Sequence, residues 1–237
     1  MKLCVIGGAG ARSAFLTKSL VKSARDIRVD HIVLLDNDQQ KLKTYGEISR
    51  ELARRLDPEL TFEVTSDARA ALTGVDYIIT TIRAGGDAGR LFDEQTCLAH
   101  GVLGQETTGA GGFAMAIRSV PTLVYYCTLA REVANPGHLI FNFTNPSGII
   151  TQALRSKGFD NVYGICDAPS GFIKQLEEIL DIPYGTLDIE CYGLNHLSWF
   201  RNAKVNGRDV QRELLDNPRT YEHSEMRLFT REMARIS

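Results

Sequence analysis

The residues of this sequence best suited to chemistry are Cys166 and His196, in Gly164-Ile165-Cys166-Asp167-Ala168-Pro169 and Gly193-Leu194-Asn195-His196-Leu197-Ser198-Trp199. A soft thiolate and an imidazole are ligands of divalent transition metals, and a two-donor set leaves positions for water or substrate, as a catalytic centre needs. Taken singly, a cysteine is more often a small core residue and a histidine a satisfied polar group. No local turn forces the two segments together, so only the fold can pair them. Asp167 is open to three roles: acid catalyst, third ligand, or cap of a helix starting near Ser170.

A second group of residues points to a nucleotide. The apolar run Leu3-Cys4-Val5-Ile6 is followed by Gly7, Gly8, Ala9 and Gly10 and then by a helix-like segment. Such a strand, glycine turn and helix lets phosphate approach backbone N–H groups at a helix N-terminus. The strict three-glycine spacing is not met, because the third position falls on Ser13 or, in the other frame, Arg12. The context compensates: the next strand, His31 to Leu35, ends at Asp36, where a carboxylate can hold the adenosine ribose hydroxyls.

Three more segments follow apolar runs, at strand ends where open parallel sheets bind ligands. Asn142-Phe143-Thr144-Asn145-Pro146 brings polar amides, with an Asn-Pro turn as the plainer reading. Arg83, with Arg90 beyond it, can fork onto a phosphate or carboxylate. Between them Gly104-Gln105-Glu106-Thr107-Thr108-Gly109-Ala110-Gly111-Gly112 reads as an ordered loop over a ligand, ahead of a helix from Met115 to Ala134.

The elements that must position these residues alternate. Apolar runs at 62–65, 77–82, 138–143 and 161–165 are separated by helical segments, including Leu42 to Leu56, stopped by Asp57-Pro58. The expected class is α/β, a doubly wound, mostly parallel sheet over residues 1–181, followed by an incomplete α+β region over 182–237. In that second region Leu187 to Tyr192 alternates as a half-exposed strand that Phe200 to Val205 can pair with, Asn206-Gly207 marks a turn, and Asn217 to Ser237 has a helical pattern with Met226, Leu228, Phe229, Met233 and Ile236 as apolar contacts. With 43% apolar and 24% charged residues and a net charge of -2, the chain has the balance of an ordinary globular protein and no field to attract nucleic acid or an anionic membrane. No run of about 18 consecutive apolar residues suggests a membrane span. Five irregularly spaced cysteines argue for reduced thiols and a cytoplasmic location.

Taken together these segments resemble the NAD- and metal-dependent glycoside hydrolases of family 4, which include 6-phospho-glucosidases, α-galactosidases and α-glucuronidases. The similarity runs along essentially the whole chain and is most specific in Gly104-Gln105-Glu106-Thr107, Asn142 to Gly148, Gly164 to Pro169 and Gly193 to His196. The resemblance implies a Rossmann-like fold and a redox-assisted elimination that departs from the two-carboxylate glycosidase scheme. Bound NAD removes hydride from carbon-3 of the sugar, a base takes the acidified carbon-2 proton, the aglycone leaves, water adds and the hydride returns. A divalent metal, expected to be manganese, polarises the sugar oxygens. By the same resemblance Cys166 and His196 are the metal ligands, Gly7, Gly8, Gly10 and Asp36 hold the cofactor, Arg83 the 6-phosphate and Asn145 the sugar hydroxyls, while Asp167 falls where α-specific members carry a leaving-group acid. The implied partners are a phosphorylated sugar and a second copy of the chain in a homo-oligomer.

The chain departs from the family's pattern at two points. Its glycine turn reads Gly-Gly-Ala-Gly-Ala-Arg-Ser, and the motif with the family's tyrosine base is not found after His196, where Tyr221 is the only tyrosine. The second region is therefore expected to be the start of a domain for substrate, metal and oligomerisation that is cut short. Two other readings remain open: a 2-hydroxy acid dehydrogenase of the lactate and malate type, and a non-catalytic module that binds NAD or a sugar phosphate.

Overall fold

Lys2–Ile6 (β1) and His31–Leu35 (β2) are buried apolar runs that pair in parallel, Lys2 opposite His31 and Ile6 opposite Leu35. Their alternate residues serve two cores. Cys4, Ile6, Val33 and Leu35 face one side of the sheet, and Leu3, Val5, Ile32 and Leu34 face the other. A strand buried on both faces has no polar side, which is why these runs read as continuous.

The computed structural model describes residues 1–223. After β1 come α1 (Ser13–Ser23), β2, a short α2 (Gln39–Lys41) that passes through a π-helical turn (Leu42–Gly46) into α3 (Glu47–Leu56), β3 (Thr61–Thr65), α4 (Ala68–Leu72), β4 (Tyr77–Thr80), α5 (Gly86–Ala99), α6 (Gly109–Val133), β5 (Leu139–Asn142), α7 (Ser147–Ser156) and β6 (Val162–Gly164). All six strands are parallel, in the order β3-β2-β1-β4-β5-β6. This is the doubly wound Rossmann order, with its switch point between β1 and β4. Val21 and Ala24, at the end of α1, and Ala53 of α3 pack on one face, while Leu72 of α4, Leu123, Cys127 and Ala130 of α6, and Ile150 and Leu154 of α7 pack on the other. Each fully buried leucine or isoleucine contributes about 1.5–3 kcal/mol.

Local chemistry sets the ends of these helices. The Asp38 carboxylate accepts from the amides of Gln40 and Lys41, so the helical stretch begins at Gln39, three residues before the periodicity suggests, and it stops where Asp57 turns extended ahead of Pro58. The largest difference from the sequence reading is α6, which starts within the glycine-rich stretch expected to be loop. At Gly111 a Cβ would lie 2.7 Å from the Gln105 carbonyl oxygen, and at Gly112 2.9 Å from the carbonyl carbon of Thr107. Those glycines let a helix begin beside the preceding chain. By length and composition α6 could cross a membrane, but Leu123, Cys127 and Ala130 are buried in the core, which makes it the central helix of one layer.

The second compact unit begins at Cys166. It contains α8 (Ala168–Leu180), a hairpin of β7 (Leu187–Leu194) and β8 (Leu197–Val205), a short β9 (Arg208–Asp209), α9 (Gln211–Asp216) and α10 (Pro218–His223). The division at Ile165/Cys166 lies ahead of the expected one after Asp181, because Phe172, Leu176 and Ile179 of α8 bury with Leu187, Ala203, Val210 and Leu214. Glu177 reinforces this: its Oε1 accepts from the amides of Gly185, Thr186 and Leu187 at 2.8–2.9 Å, tying α8 to the start of β7. The Asn206-Gly207 turn is present, with both residues at positive φ (50° and 80°). The helical reading after Asn217 holds through α10; Met226, Leu228, Phe229, Met233 and Ile236 lie outside the described residues.

Candidate active site

The glycine turn sits at the switch point of the sheet. The amides of Gly7 and Gly8 both donate to the Leu35 carbonyl, at 2.8 and 3.0 Å, and Thr81 Oγ1 donates to the Gly7 carbonyl. Gly7 has φ of 83°, and a Cβ there would lie 2.9 Å from the backbone of Thr81 and Ile82. At Gly8 it would lie 2.9 Å from Cβ of Leu34. These two glycines are required by the packing of the turn itself. Gly10 differs, since nothing lies within 4 Å of where its Cβ would be, and it leaves open space at the entrance to α1.

Asp36, at the end of β2, turns its carboxylate to this turn: Oδ2 accepts from the Ala9 amide at 3.1 Å and Oδ1 from the Asp38 amide at 3.0 Å. Each carboxylate oxygen has a further lone pair, so acceptor capacity remains for a hydroxyl.

Beyond β4, Arg83 forms an ion pair with Asp87 at 2.7 Å, and its Nη2 lies 3.5 Å from Oε2 of Glu106. Arg90 of α5 bonds Glu94 at 2.7 Å, and its Nη1 lies 3.6 Å from the same Glu106 oxygen. The hydrogen bond that Arg90 donates to Glu94, with the nearby Glu106 charge, pushes the Arg90 pKa above its ordinary value. The loop behind these residues is clamped by Arg118 of α6, whose guanidinium forks onto the buried Asp93 of α5 and donates from Nε to the Ala84 carbonyl at 3.2 Å. Neither Arg118 nor Asp93 stands out in the sequence, because they are 25 residues apart on separate helices. Gln105 also proves structural: its Oε1 accepts from the Thr108 amide at 2.8 Å and from both donors of Thr107, which orders the entry to α6.

The Asn-Pro segment divides its amides between two tasks. Asn142 is fully buried, with Oδ1 accepting from Thr80 Oγ1 at 2.8 Å and Nδ2 donating to Thr151 Oγ1 at 3.1 Å. Asn145 is half-buried and follows Thr144, whose hydroxyl accepts from the Ile82 amide. Its peptide bond to Pro146 is cis. Among the described residues the Asn145 amide has no side-chain hydrogen bond, so of the two it is the one with capacity to spare.

In the second unit the fold does bring the distant pair together. Sγ of Cys166 lies 3.8 Å from Nε2 of His196. His196 is at the tip of the β7–β8 hairpin, in the two-residue link between the paired Leu194 and Leu197, and has a left-handed backbone with φ of 61°. A histidine where glycine is the cheaper choice is strain of a kind that clusters at functional sites. Beside it, Oδ1 of Asn195 is buried without a hydrogen-bond partner. Two ligands of one tetrahedral ion, with metal–sulfur and metal–nitrogen bonds of about 2.3 and 2.1 Å, stand about 3.6 Å apart, so the donor set and its spacing fit a shared ion. Asp167 is exposed at the N-terminal boundary of α8 but makes no side-chain capping bond, so the capping role is not realised. Nor does it join Cys166 and His196 as a third donor: among the described residues no three His, Cys, Asp or Glu side chains gather at one point. Tyr221 is half-buried, and its hydroxyl donates to the Leu215 carbonyl at 2.9 Å.

Residues 2–182 match the sequence profile of the family 4 glycosyl hydrolases. The chain belongs to this family. Among its relatives, the 6-phospho-beta-glucosidase BglT of Thermotoga maritima is 35% identical over 218 residues, which are 92% of this chain and 51% of the relative. A 6-phospho-alpha-glucosidase from gut microorganisms, solved with NAD and glucose-6-phosphate, superposes with a TM-score of 0.91 at 31% identity, over 100% of this chain and 55% of that one. The Thermotoga maritima 6-phospho-beta glucosidase solved with manganese, NAD+ and glucose-6-phosphate gives a TM-score of 0.84 at 33% identity, over 92% and 52% of the two chains. The chain therefore spans about half the length of the relatives it matches. Membership of family 4 removes the lactate and malate type of dehydrogenase as a reading, although the sheet order is one that such enzymes share.

Proposed function

We propose that this family 4 protein acts on 6-phospho-glucosides, cleaving the glycosidic bond with the help of NAD and a divalent metal, manganese in the first instance. The observation that carries the reading is the approach to 3.8 Å of Cys166, just ahead of α8, and His196, at the strained tip of the β7–β8 hairpin, a paired donor set that a non-catalytic dinucleotide module has no use for. When bound, NAD supplies a reversible hydride acceptor for carbon-3 of the sugar, and the metal supplies a Lewis acid for the adjoining oxygens.

The chain's own residues prepare those events. Gly10 leaves room for a pyrophosphate at the start of α1, while Gly7 and Gly8, whose own amides are spent on the Leu35 carbonyl, let the turn fold tightly ahead of that helix start. Asp36, held by the Ala9 and Asp38 amides, accepts from the adenosine ribose. Cys166, as thiolate, and neutral His196 are the residues that would hold the metal, as a two-donor set that would leave room for sugar oxygens. Arg83 binds the 6-phosphate and the free amide of Asn145 orients the sugar hydroxyls. Asp167, exposed and unengaged as a cap, is available to protonate the leaving oxygen of an α-linked substrate. The five unpaired thiols suit a reducing compartment, and the cytoplasm is the proposed location. A homo-oligomer is proposed with it.

The test is hydrolysis of paired α- and β-linked 4-nitrophenyl glucoside 6-phosphates with NAD, manganese and a thiol reductant, each then omitted in turn. Cleavage that stops when either NAD or metal is withheld supports the proposal and names the anomer. Cleavage indifferent to both, or NAD binding with no cleavage under any condition, favours a different chemistry or a binding role.

A further inference from the structure

Cys166 and His196 hang from two elements that are tied together at their other ends. Cys166 stands just ahead of α8, and His196 follows β7. Late in α8, Oε1 of Glu177 accepts from the amides of Gly185 at 2.8 Å, Thr186 at 2.9 Å and Leu187, the first residue of β7, at 2.9 Å. One carboxylate oxygen thus closes the link between helix and strand. The rest of the join is apolar: Phe172 and Leu176 of α8 bury with Leu187 and Ala203, and the rings of Phe172 and Phe200 are centred 4.7 Å apart. Apolar burial is non-directional and lets a helix slide or roll, whereas three hydrogen bonds to one atom fix its register.

Glu177 is only 1% exposed, its Oε2 is buried without a hydrogen-bond partner, and the nearby Lys174 pairs with Glu178 rather than with it. Taking a carboxylate out of water costs several kcal/mol, so stability alone is a poor reason for placing one there. What the three bonds do secure is position. From Glu177 back to Ala168, the first residue of α8, is about 14 Å along the helix axis, so a pivot of about 2° at the Glu177 end moves the start of the helix by about 0.5 Å. Metal–ligand distances hold to within about 0.2 Å. We propose that Glu177 is a positioning residue for the metal site: by tying the end of α8 to the start of β7 it sets the separation of Cys166 Sγ and His196 Nε2 at the far ends of those elements. The inference rests on the reading of that pair as metal ligands and adds to it a residue that acts through α8 and β7.

Cobalt(II) is the probe, because a thiolate–cobalt bond gives a near-ultraviolet charge-transfer band that reports Cys166 directly. The full chain, with NAD and a thiol-free reductant, is titrated as wild type, Glu177→Asp, Glu177→Gln, Leu214→Ala and Cys166→Ser, well below each melting temperature. Glu177→Asp keeps the charge but falls a methylene short of the amides, and is expected to weaken cobalt by about tenfold, equivalent to about 1.4 kcal/mol, and to shift the band. Glu177→Gln keeps an acceptor oxygen at full length and should restore most of the affinity and the wild-type band. Leu214→Ala loses core packing in the same unit, so it should melt lower with cobalt affinity and band unchanged. Wild-type affinity and band in Glu177→Asp, an equal loss in Glu177→Gln, or an equal loss in Leu214→Ala overturns the positioning role and leaves Cys166 and His196 standing as ligands. A thiolate band missing from the wild type, or surviving Cys166→Ser, overturns the metal reading and this inference with it.

Discussion

Oδ2 of Asp36 accepts a hydrogen bond from the Ala9 amide at 3.1 Å, so the carboxylate that ends β2 is fastened to the glycine turn that ends β1. A negative charge fixed there would accept from the ribose hydroxyls of a bound dinucleotide and repel a 2′-phosphate. The wild type is therefore expected to prefer NAD to NADP. Asp36→Ala should narrow that preference, weaken NAD binding and cost about 1 kcal/mol of stability by leaving the Ala9 amide unpaired. Fluorescence titration of both cofactors measures this, and equal wild-type affinities for the two would remove Asp36 from the ribose.

The glycines of the turn should separate by role. Gly7→Ala places a side chain at φ of 83°, 2.9 Å from the Thr81 and Ile82 backbone, and is expected to cost about 1–3 kcal/mol. Gly10→Ala meets no protein atom within 4 Å and should leave stability within about 0.5 kcal/mol of wild type while weakening NAD. Denaturant melts paired with NAD titration distinguish them. Loss of stability in Gly10→Ala, or retention of it in Gly7→Ala, would contradict the assignment.

Two core thiols predict an alkaline limit to stability. Burial pushes Cys4 and Cys127 from the ordinary 9.0 up to about 12. Between those values the unfolded chain releases protons that the folded chain keeps, so stability is full below about pH 9 and falls as pH rises towards 12. Urea midpoints recorded upward from about pH 8 should decline, less steeply in Cys127→Ala. In the native state Cys4 and Cys127 should resist a thiol reagent that labels the exposed Cys191.

How much of this was legible in the sequence differs by element. The parallel sheet could be read because Leu3 to Ile6 and Ile32 to Leu35 are apolar at every position, a pattern that only burial on both faces explains. Asp36 and the turn followed from the strand ends. The start of α6 could not be read, since Gly111 and Gly112 look like helix breakers until the chain at Gln105 and Thr107 is seen against them. The placement of α8 with the second unit depends on long-range packing of Phe172 and Leu176 and on Glu177 reaching the Gly185–Leu187 amides, which no local periodicity records. For the same reason sequence named Arg83 and Arg90 but missed the Arg118–Asp93 clamp behind them and their shared contact with Glu106. Cys166 and His196 were recognisable as residue types, while their approach to 3.8 Å is a property of the folded hairpin and α8.

Manganese binding to the full chain, followed by electron paramagnetic resonance in the presence of NAD and a reductant, tests that pair most directly. Wild type should hold one ion, with Cys166→Ser and His196→Asn each weakening it by more than about tenfold and both variants keeping their NAD affinity. Manganese bound equally well by all three proteins would contradict the assignment of Cys166 and His196 as the metal site.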